Sequence, residues 1–79
     1  MRLSANQRRA LRSLVGAPHG VTEALMLAHG FRREMLAGLV QAGLVVVTTE
    51  TIRAGAATIR VERYRITESG REALRAAGG

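Results

Sequence analysis

The chain has 79 residues and no cysteine, and its 12 basic and 6 acidic side chains give a net charge of +6. This length predicts one compact domain, and an apolar fraction of 47% is typical of globular rather than disordered chains. The absence of cysteine excludes a disulfide framework and a thiolate metal site. Every basic residue is arginine, whose planar guanidinium suits phosphates and guanine edges. Together with a sequence pI of about 11.7, this indicates a nucleic-acid partner.

Neither the start of the chain nor its apolar stretches suggest a membrane protein. The first residues turn polar at once, unlike those of a signal peptide. The longest apolar stretch, from Met35 to Val47, is interrupted by Gln41 and two glycines and is shorter than the ~20 residues of a spanning helix. We therefore expect a cytoplasmic protein without a membrane partner.

A capping-box spacing opens the first predicted helix. Ser4 and Gln7 stand three residues apart, so that the hydroxyl and the amide can each accept from a free backbone N–H at the helix start. Apolar residues at helical spacing, Val15 among them, predict a helix over residues 5–15 with one buried stripe. The Gly-Ala-Pro-His-Gly segment at 16–20 ends this helix, because proline lacks an amide donor.

Two further helices are predicted before residue 43. Thr22 is a good N-cap for a short helix through Ala28, and Gly30 fits the left-handed position that closes it. A third helix is expected over about 32–42, with Gly43 as its stop. The 100° step per residue turns four residues of this helix outward: Glu34, Ala37, Gly38 and Gln41.

The second half of the chain predicts a hairpin followed by a last helix. Residues 44–52 and 58–66 are rich in β-branched side chains at period two, which favours strands. Residues 53–57 are expected to form a loose turn between them. Thr67 then caps a helix over 68–77.

The apolar residues of the second strand fall on both parities. Ile59 and Val61 share one parity, whereas Tyr64 and Ile66 share the other. Two alternatives follow. Either a bulge lies near Glu62–Arg63, or the tip and the base of the hairpin bury opposite faces.

The order α-α-α-β-β-α, with a tight glycine turn between the second and third helices, resembles the winged helix-turn-helix domain. Three stretches carry the resemblance: Thr22–Ala28, Leu36-x-x-Leu39-Val40-x-x-Gly43-Leu44-Val45, and Tyr64–Leu74. The third, Tyr64–Leu74, is similar to the strand-to-helix junction of MarR-like and PadR-like transcription regulators. The resemblance covers about residues 4–76. It implies one α+β winged-helix domain over 1–79, with a three-helix core and a long two-stranded wing. It also implies binding to double-stranded DNA, with the third helix in the major groove and the wing on the backbone or in the minor groove.

The chain departs from these regulators in two ways. MarR-like proteins dimerise through additional flanking helices that these 79 residues do not include, so we expect a homodimer with the hairpin as its candidate interface. The outward face of the third helix also carries little that reads bases. Four residues of this helix are candidates for DNA contact: Arg32, Arg33, Glu34 and Gln41.

The positive charge is concentrated outside the third helix. Residues 1–20 contain four arginines and no acid, and residues 43–66 contain four arginines and two glutamates, whereas the other segments are neutral. Arg8 and Arg12 on the first helix contact phosphates or form a solvated face together with Arg9, two alternatives that the sequence leaves open. Arg53 and Arg60, which flank the hairpin tip, are candidates for DNA contact. Arg63 and Arg65 are expected to cover the sheet or to pair with Glu50.

Catalytic and metal chemistry find no support in the sequence. No serine lies in a pattern with histidine and an acid, and no glycine-rich phosphate loop occurs. His19 and His29 have no cysteine or aspartate beside them, so structural roles are expected for both. We expect no enzyme activity, no cofactor, no metal and no small-molecule ligand.

Two functions of different class follow. The first is a small bacterial-type transcriptional regulator that binds duplex DNA through the third helix and an arginine-bearing wing. The second is a winged-helix module for protein interaction or dimerisation, without sequence-specific DNA readout. The neutral third helix and the long hairpin motivate this second function.

Overall fold

A computed structural model describes residues 2–78, so that only the two end residues of the predicted domain lie outside it. The fold is α+β, with four helices and a three-stranded antiparallel sheet across the described range. The elements follow in the order α1 (Ala5–Val15), β1 (Val21–Thr22), α2 (Glu23–Ala28), α3 (Arg33–Gln41), β2 (Val45–Ala54), β3 (Ala57–Ile66) and α4 (Glu68–Ala76). The helix predictions are confirmed to within one or two residues. The predicted order lacked β1, whose two residues are a strand only because β3 lies beside them.

Side-chain caps begin three of the helices as their sequences predicted. Gln7 donates its backbone N–H to Ser4 Oγ at 3.1 Å, and Ser4 returns its own N–H to the Gln7 side chain at 2.7 Å, which completes the capping box of α1. Thr22 and Thr67 accept backbone hydrogen bonds at the starts of α2 and α4 in the same way. These ends are therefore encoded locally.

Glycines in the left-handed region end α2 and α3. Gly30 has φ +93° and Gly43 has φ +76°. After each glycine the chain turns back on its helix: the N–H of Phe31 donates to the Met26 carbonyl at 3.2 Å, and the N–H of Leu44 donates to the Leu39 carbonyl at 3.0 Å. This is the Schellman arrangement, which favours glycine because a Cβ is strained at that φ.

The core lies between the helices and the base of the sheet. Its aliphatic side chains come from all four helices and from the loops that join them, and Tyr64 closes it from β3. The largest side chains with no exposure are Leu11, Leu14, Met26, Leu36 and Leu39. Val15, expected in the buried stripe of α1, is 39% exposed, because the helix ends there and the chain turns away from the core.

The sheet order is β1-β3-β2, with β2 and β3 joined as a long hairpin. Its register runs without interruption from Val45 opposite Ile66 to Ala54 opposite Ala57, so the predicted bulge is wrong. The loose turn expected over residues 53–57 is also wrong. The strands instead continue to a two-residue turn with Gly55 at φ +65° in its first central position, as tight hairpin turns of this kind require.

The two faces of the hairpin differ in character. Residues directly opposite each other share a face. At the base, one face carries the buried Val45 and Tyr64 and the partly buried Ile66, which pack against the helices. The other alternative, that the tip buries the opposite face, fails because Ile59 is 48% exposed. The hairpin therefore projects beyond the body, and the molecule measures 47 × 22 × 21 Å.

The last helix is fixed to the turn between α3 and β2. The Thr67 hydroxyl donates to the Gly43 carbonyl at 2.7 Å, and the Thr67 N–H donates to the Leu44 carbonyl at 3.0 Å. Gly70 lies against the same turn so closely that an added Cβ would be 2.1 Å from the Leu44 carbonyl oxygen. Only glycine permits this approach.

Candidate nucleic-acid interface

The outer part of the hairpin, residues 49–62, is called the distal hairpin here. Its register places one set of side chains on the face that is continuous with the helices: Thr49, Thr51, Arg53, Thr58, Arg60 and Glu62. Only one of these, Glu62, is even partly buried, and it accepts a hydrogen bond from the Thr49 hydroxyl at 2.9 Å. This polar face exposes two guanidinium groups together with threonine hydroxyls.

Arg53 and Arg60 are diagonal neighbours on that face, since Arg53 lies opposite Thr58 and Arg60 lies opposite Thr51. Three ion pairs occur within residues 2–78, and they engage Arg33, Arg63 and Arg75. Arg53 and Arg60 have no carboxylate within 4.0 Å in that part of the chain. Their charges are thus free to meet a negatively charged partner.

At the start of α3, Arg32 and Arg33 are both exposed but differ in their contacts. Arg32 is the N-cap residue and makes no side-chain cap. Arg33 Nε lies 3.4 Å from Glu23 Oε1, at the first residue of α2, yet the Arg33 side chain remains 69% exposed. The ion pair therefore orients Arg33 while leaving much of its guanidinium open.

Glu23 also contacts the sheet. The Tyr64 hydroxyl donates to Glu23 Oε2 at 2.9 Å, so one carboxylate joins α2, α3 and β3. Burial of the phenol and its hydrogen bond to Glu23 raise the pKa of Tyr64 to about 12. No sequence pattern predicts this contact, because the two residues are 41 positions apart and nothing local connects them.

The outward face of α3 is as the sequence predicted. Glu34, Ala37, Gly38 and Gln41 are all exposed. Glu34 lies in the first helical turn and Gln41 is the last helical residue, so the two polar side chains are at opposite ends. Between them the helix offers only small apolar atoms.

The arginines of α1 do not form one surface. Arg8 lies toward α4 in a surface depression that Ala73 also lines. Arg12 is exposed and lies on the other side, near His29 and the α2–α3 turn. Arg9 places its guanidinium carbon 5.2 Å from the centre of the Phe31 ring, a cation–π contact that the sequence analysis did not anticipate.

The remaining arginines of the hairpin base serve the sheet. Arg63 pairs with Glu50 across the two strands, as predicted. Arg65 covers Gly20, where an added Cβ would lie 2.8 Å from the Arg65 Cγ. Gly20, at φ +89°, has no Cβ and so lets the Arg65 side chain lie against it. This contact packs the loop before β1 against β3.

Two other kinds of feature, a metal site and a membrane-spanning helix, are absent from the described residues. No group of three or more histidine or acidic side chains is placed to hold a metal ion among residues 2–78. Over the same residues, no helix has the length and apolar character that crossing a membrane requires. The distal hairpin and the start of α3 therefore remain the strongest candidates for a functional surface.

Comparisons with models of protein families, with curated proteins and with solved structures found no match to this chain. Function therefore has to be inferred from its own residues and their geometry.

Proposed function

We propose that this protein is a small winged helix-turn-helix regulator that binds double-stranded DNA, with the distal hairpin as its wing and α3 as its recognition helix. The short strand β1, added to the expected order, supports this proposal, because it ties the loop before α2 to the base of the hairpin. Helices α2 and α3 are joined by a short turn at Gly30, which gives the compact helix-turn-helix that such a domain needs. Under this proposal the protein binds and does not catalyse.

The observation that carries the proposal is the free pair Arg53 and Arg60. Both are exposed, both lie on the face continuous with the helices, and neither has a carboxylate within 4.0 Å in the described structure. An unpaired guanidinium gains most from a phosphate, since it displaces condensed counterions without first breaking an internal ion pair. The threonine hydroxyls beside them supply further donors for phosphate oxygens.

The start of α3 supplies the second contact in this proposal. Arg33 is oriented by Glu23, which is itself held by Tyr64, so the guanidinium reaches DNA with part of its conformational freedom already lost. Arg32 beside it is unrestrained. Together they place positive charge where the helix N-terminus already favours anions.

The same geometry supports weak base discrimination. A good bidentate contact to a base contributes roughly 1–3 kcal/mol. Beyond Arg33 at its N-terminus, the exposed face of α3 offers only Glu34, which can accept from cytosine, and Gln41, which can pair with adenine. These two are separated by Ala37 and Gly38. Backbone contacts therefore dominate the proposed complex, and its affinity depends strongly on salt.

A fluorescence-anisotropy titration against a random duplex at two salt concentrations tests the proposal. Replacing both Arg53 and Arg60 by alanine should weaken binding and reduce the slope of log K against log salt by about 2, close to one unit for each lost phosphate contact. Gln41→Ala should change affinity little and about equally for all duplex sequences.

The matched control removes the same charge elsewhere. Arg2, in the depression between α1 and α4, and Arg75, on α4, are also exposed. Their double alanine variant should leave the salt slope nearly unchanged. If the two double variants weaken DNA binding equally, the interaction depends on net charge and not on the position of Arg53 and Arg60. Absence of binding by the unaltered protein at low salt would overturn the proposal.

A further inference from the structure

The outer edge of β2 has no strand partner within residues 2–78. β2 pairs with β3 on one side, and no described residue pairs with it on the other. Natural edge strands are commonly blocked by proline, lysine, a bulge or short length. β2 has no proline, lysine or bulge, and it runs over Val45–Ala54 in unbroken register. Of its two charged side chains, Glu50 is neutralised by Arg63, and Arg53 lies near the tip.

The hairpin turn determines which backbone groups face that edge. A two-residue turn closes on a hydrogen-bonded pair, here Ala54 and Ala57, and hydrogen-bonded pairs alternate along the ladder. The even-numbered residues of β2 therefore bond to β3. The odd-numbered residues direct their N–H and C=O groups outward, and in the distal hairpin these are Thr49, Thr51 and Arg53.

We propose that this edge binds a second copy of the same chain, antiparallel about a two-fold axis at Thr51, to form a four-stranded sheet β3-β2-β2-β3. Residues 48–54 of each copy take part. Because the distal hairpin projects beyond the body, this overlap keeps the two helical bodies at opposite ends. The pairing gives hydrogen-bond partners to the outward backbone groups of both copies. It also covers part of the Ile52 side chain, which is 42% exposed in the single chain.

Parity, charge and burial favour this register over those centred on Thr49 and Glu50. An axis perpendicular to the sheet keeps each side chain on its own face, so residues of equal parity must lie opposite each other. An axis at Glu50 would place two glutamates directly opposite, which is destabilising. An axis at Thr49 would bring the tip of each hairpin against the other's buried base at Val45.

The axis at Thr51 also brings opposite charges together. It places Arg53 of the second copy opposite Thr49, and Thr49 lies opposite Glu62 within its own hairpin. Two strand spacings separate the Arg53 and Glu62 positions by about 9–10 Å, a distance that the two long side chains span over the small threonine. Glu62 pairs with no arginine inside residues 2–78, so the contact breaks no existing ion pair there.

This inference does not rest on DNA binding. Because Arg53 faces Glu62 in the dimer and a phosphate in the proposed DNA complex, the two contacts compete for this side chain, and the dimer is therefore tested without DNA. Sedimentation velocity of the whole protein over a concentration series should show a monomer–dimer equilibrium. The interface is small, so we expect a Kd between about 10 µM and 1 mM. A chain that remains monomeric at about 1 mM would overturn the inference, whatever its behaviour with DNA.

Thr51→Pro removes an N–H from the proposed interface and should raise the Kd at least 10-fold. Its matched control is Thr58→Pro, which removes an outward N–H from the opposite edge of the same hairpin. The control should leave the Kd nearly unchanged. Equal weakening by both prolines would place the contact elsewhere.

Charge reversal supplies a second test that leaves the backbone intact. Arg53→Glu and Glu62→Arg should each weaken the dimer, and the double variant should restore it to within about threefold of the unaltered protein, because the ion pair is re-formed with its polarity exchanged. Single effects without restoration in the double variant would contradict the assigned register.

Discussion

The helical body and the distal hairpin differ in how much of their side-chain surface is buried. The body contains every fully buried large side chain, from Leu11 in α1 to Leu39 in α3. In the distal hairpin, residues 49–60 are all exposed. The body therefore provides the stability, and the hairpin provides surface that is available to a partner.

The difference follows from what each region can bury. A two-stranded hairpin is at best marginally stable alone in water, since it has no second layer to cover its apolar side chains. Here the base of the hairpin is held by β1 and by the helices, and the distal part is an extension of that anchored base. Changes in the distal hairpin should affect binding more than folding.

The largest expected effect contrasts a core residue with a hairpin residue. Leu39→Ala, at a site without exposure, should lower the free energy of unfolding by roughly 2–5 kcal/mol. Ile59→Ala, at a side chain that is about half exposed, should cost under about 1 kcal/mol. Urea denaturation of the two variants measures both values. Comparable losses would mean that the distal hairpin is part of the folding core.

The second effect concerns two helical glycines. Gly70→Ala should destabilise the fold by about 1–3 kcal/mol, because the new Cβ would collide with the Leu44 carbonyl oxygen. Gly38→Ala is the matched control on the exposed face of α3, where an added Cβ meets no atom within 4 Å. It should stabilise by about 0.5–1 kcal/mol through helix propensity.

Thermal unfolding of these two variants gives opposite shifts in Tm if α4 is fixed to the α3–β2 turn as described. A Gly70→Ala variant with unchanged Tm would show that α4 moves freely on that turn.

The helix boundaries could be predicted because their signals are local. The Ser4–Gln7 capping box and the glycines at 30 and 43 act on backbone groups within a few residues. The close approach of Gly70 to Leu44 could not be predicted in this way. It depends on how two distant segments pack, and the sequence records it only as a glycine within a helix.

The smallest stability effect concerns the contact that joins the body to the hairpin base. Tyr64→Phe removes the hydrogen bond to Glu23 and should cost about 1 kcal/mol at neutral pH. Because folding raises the pKa of Tyr64 from 10.0 to about 12, the folded state favours the neutral phenol. The stabilisation is complete below pH 10 and is lost as the pH rises from 10 toward 12.

Denaturation midpoints measured across that pH window distinguish the two proteins. The difference in stability between the unaltered protein and Tyr64→Phe should shrink as the pH rises. A constant difference would place the effect of the substitution in packing and not in the ionisable hydroxyl.

For the candidate site, the sequence predicted where the arginines lie and one of their partners, but not the others. It placed Arg53 and Arg60 at the hairpin tip and Arg63 beside Glu50. It did not show that Glu23 connects Arg33 to Tyr64, or that β2 and β3 keep one register to a tight turn. Both features depend on pairing between residues that are distant in sequence, which composition and periodicity do not specify.

A titration of the isotopically labelled protein with a random duplex, followed in amide correlation spectra at low salt, tests most directly whether the hairpin is the region that meets DNA. If the distal hairpin and the start of α3 bind DNA, the largest shift changes fall at residues 51–60 and at Arg32–Glu34, and the smallest in α4. Changes concentrated in α4, or a spectrum that DNA leaves unaltered, would contradict it.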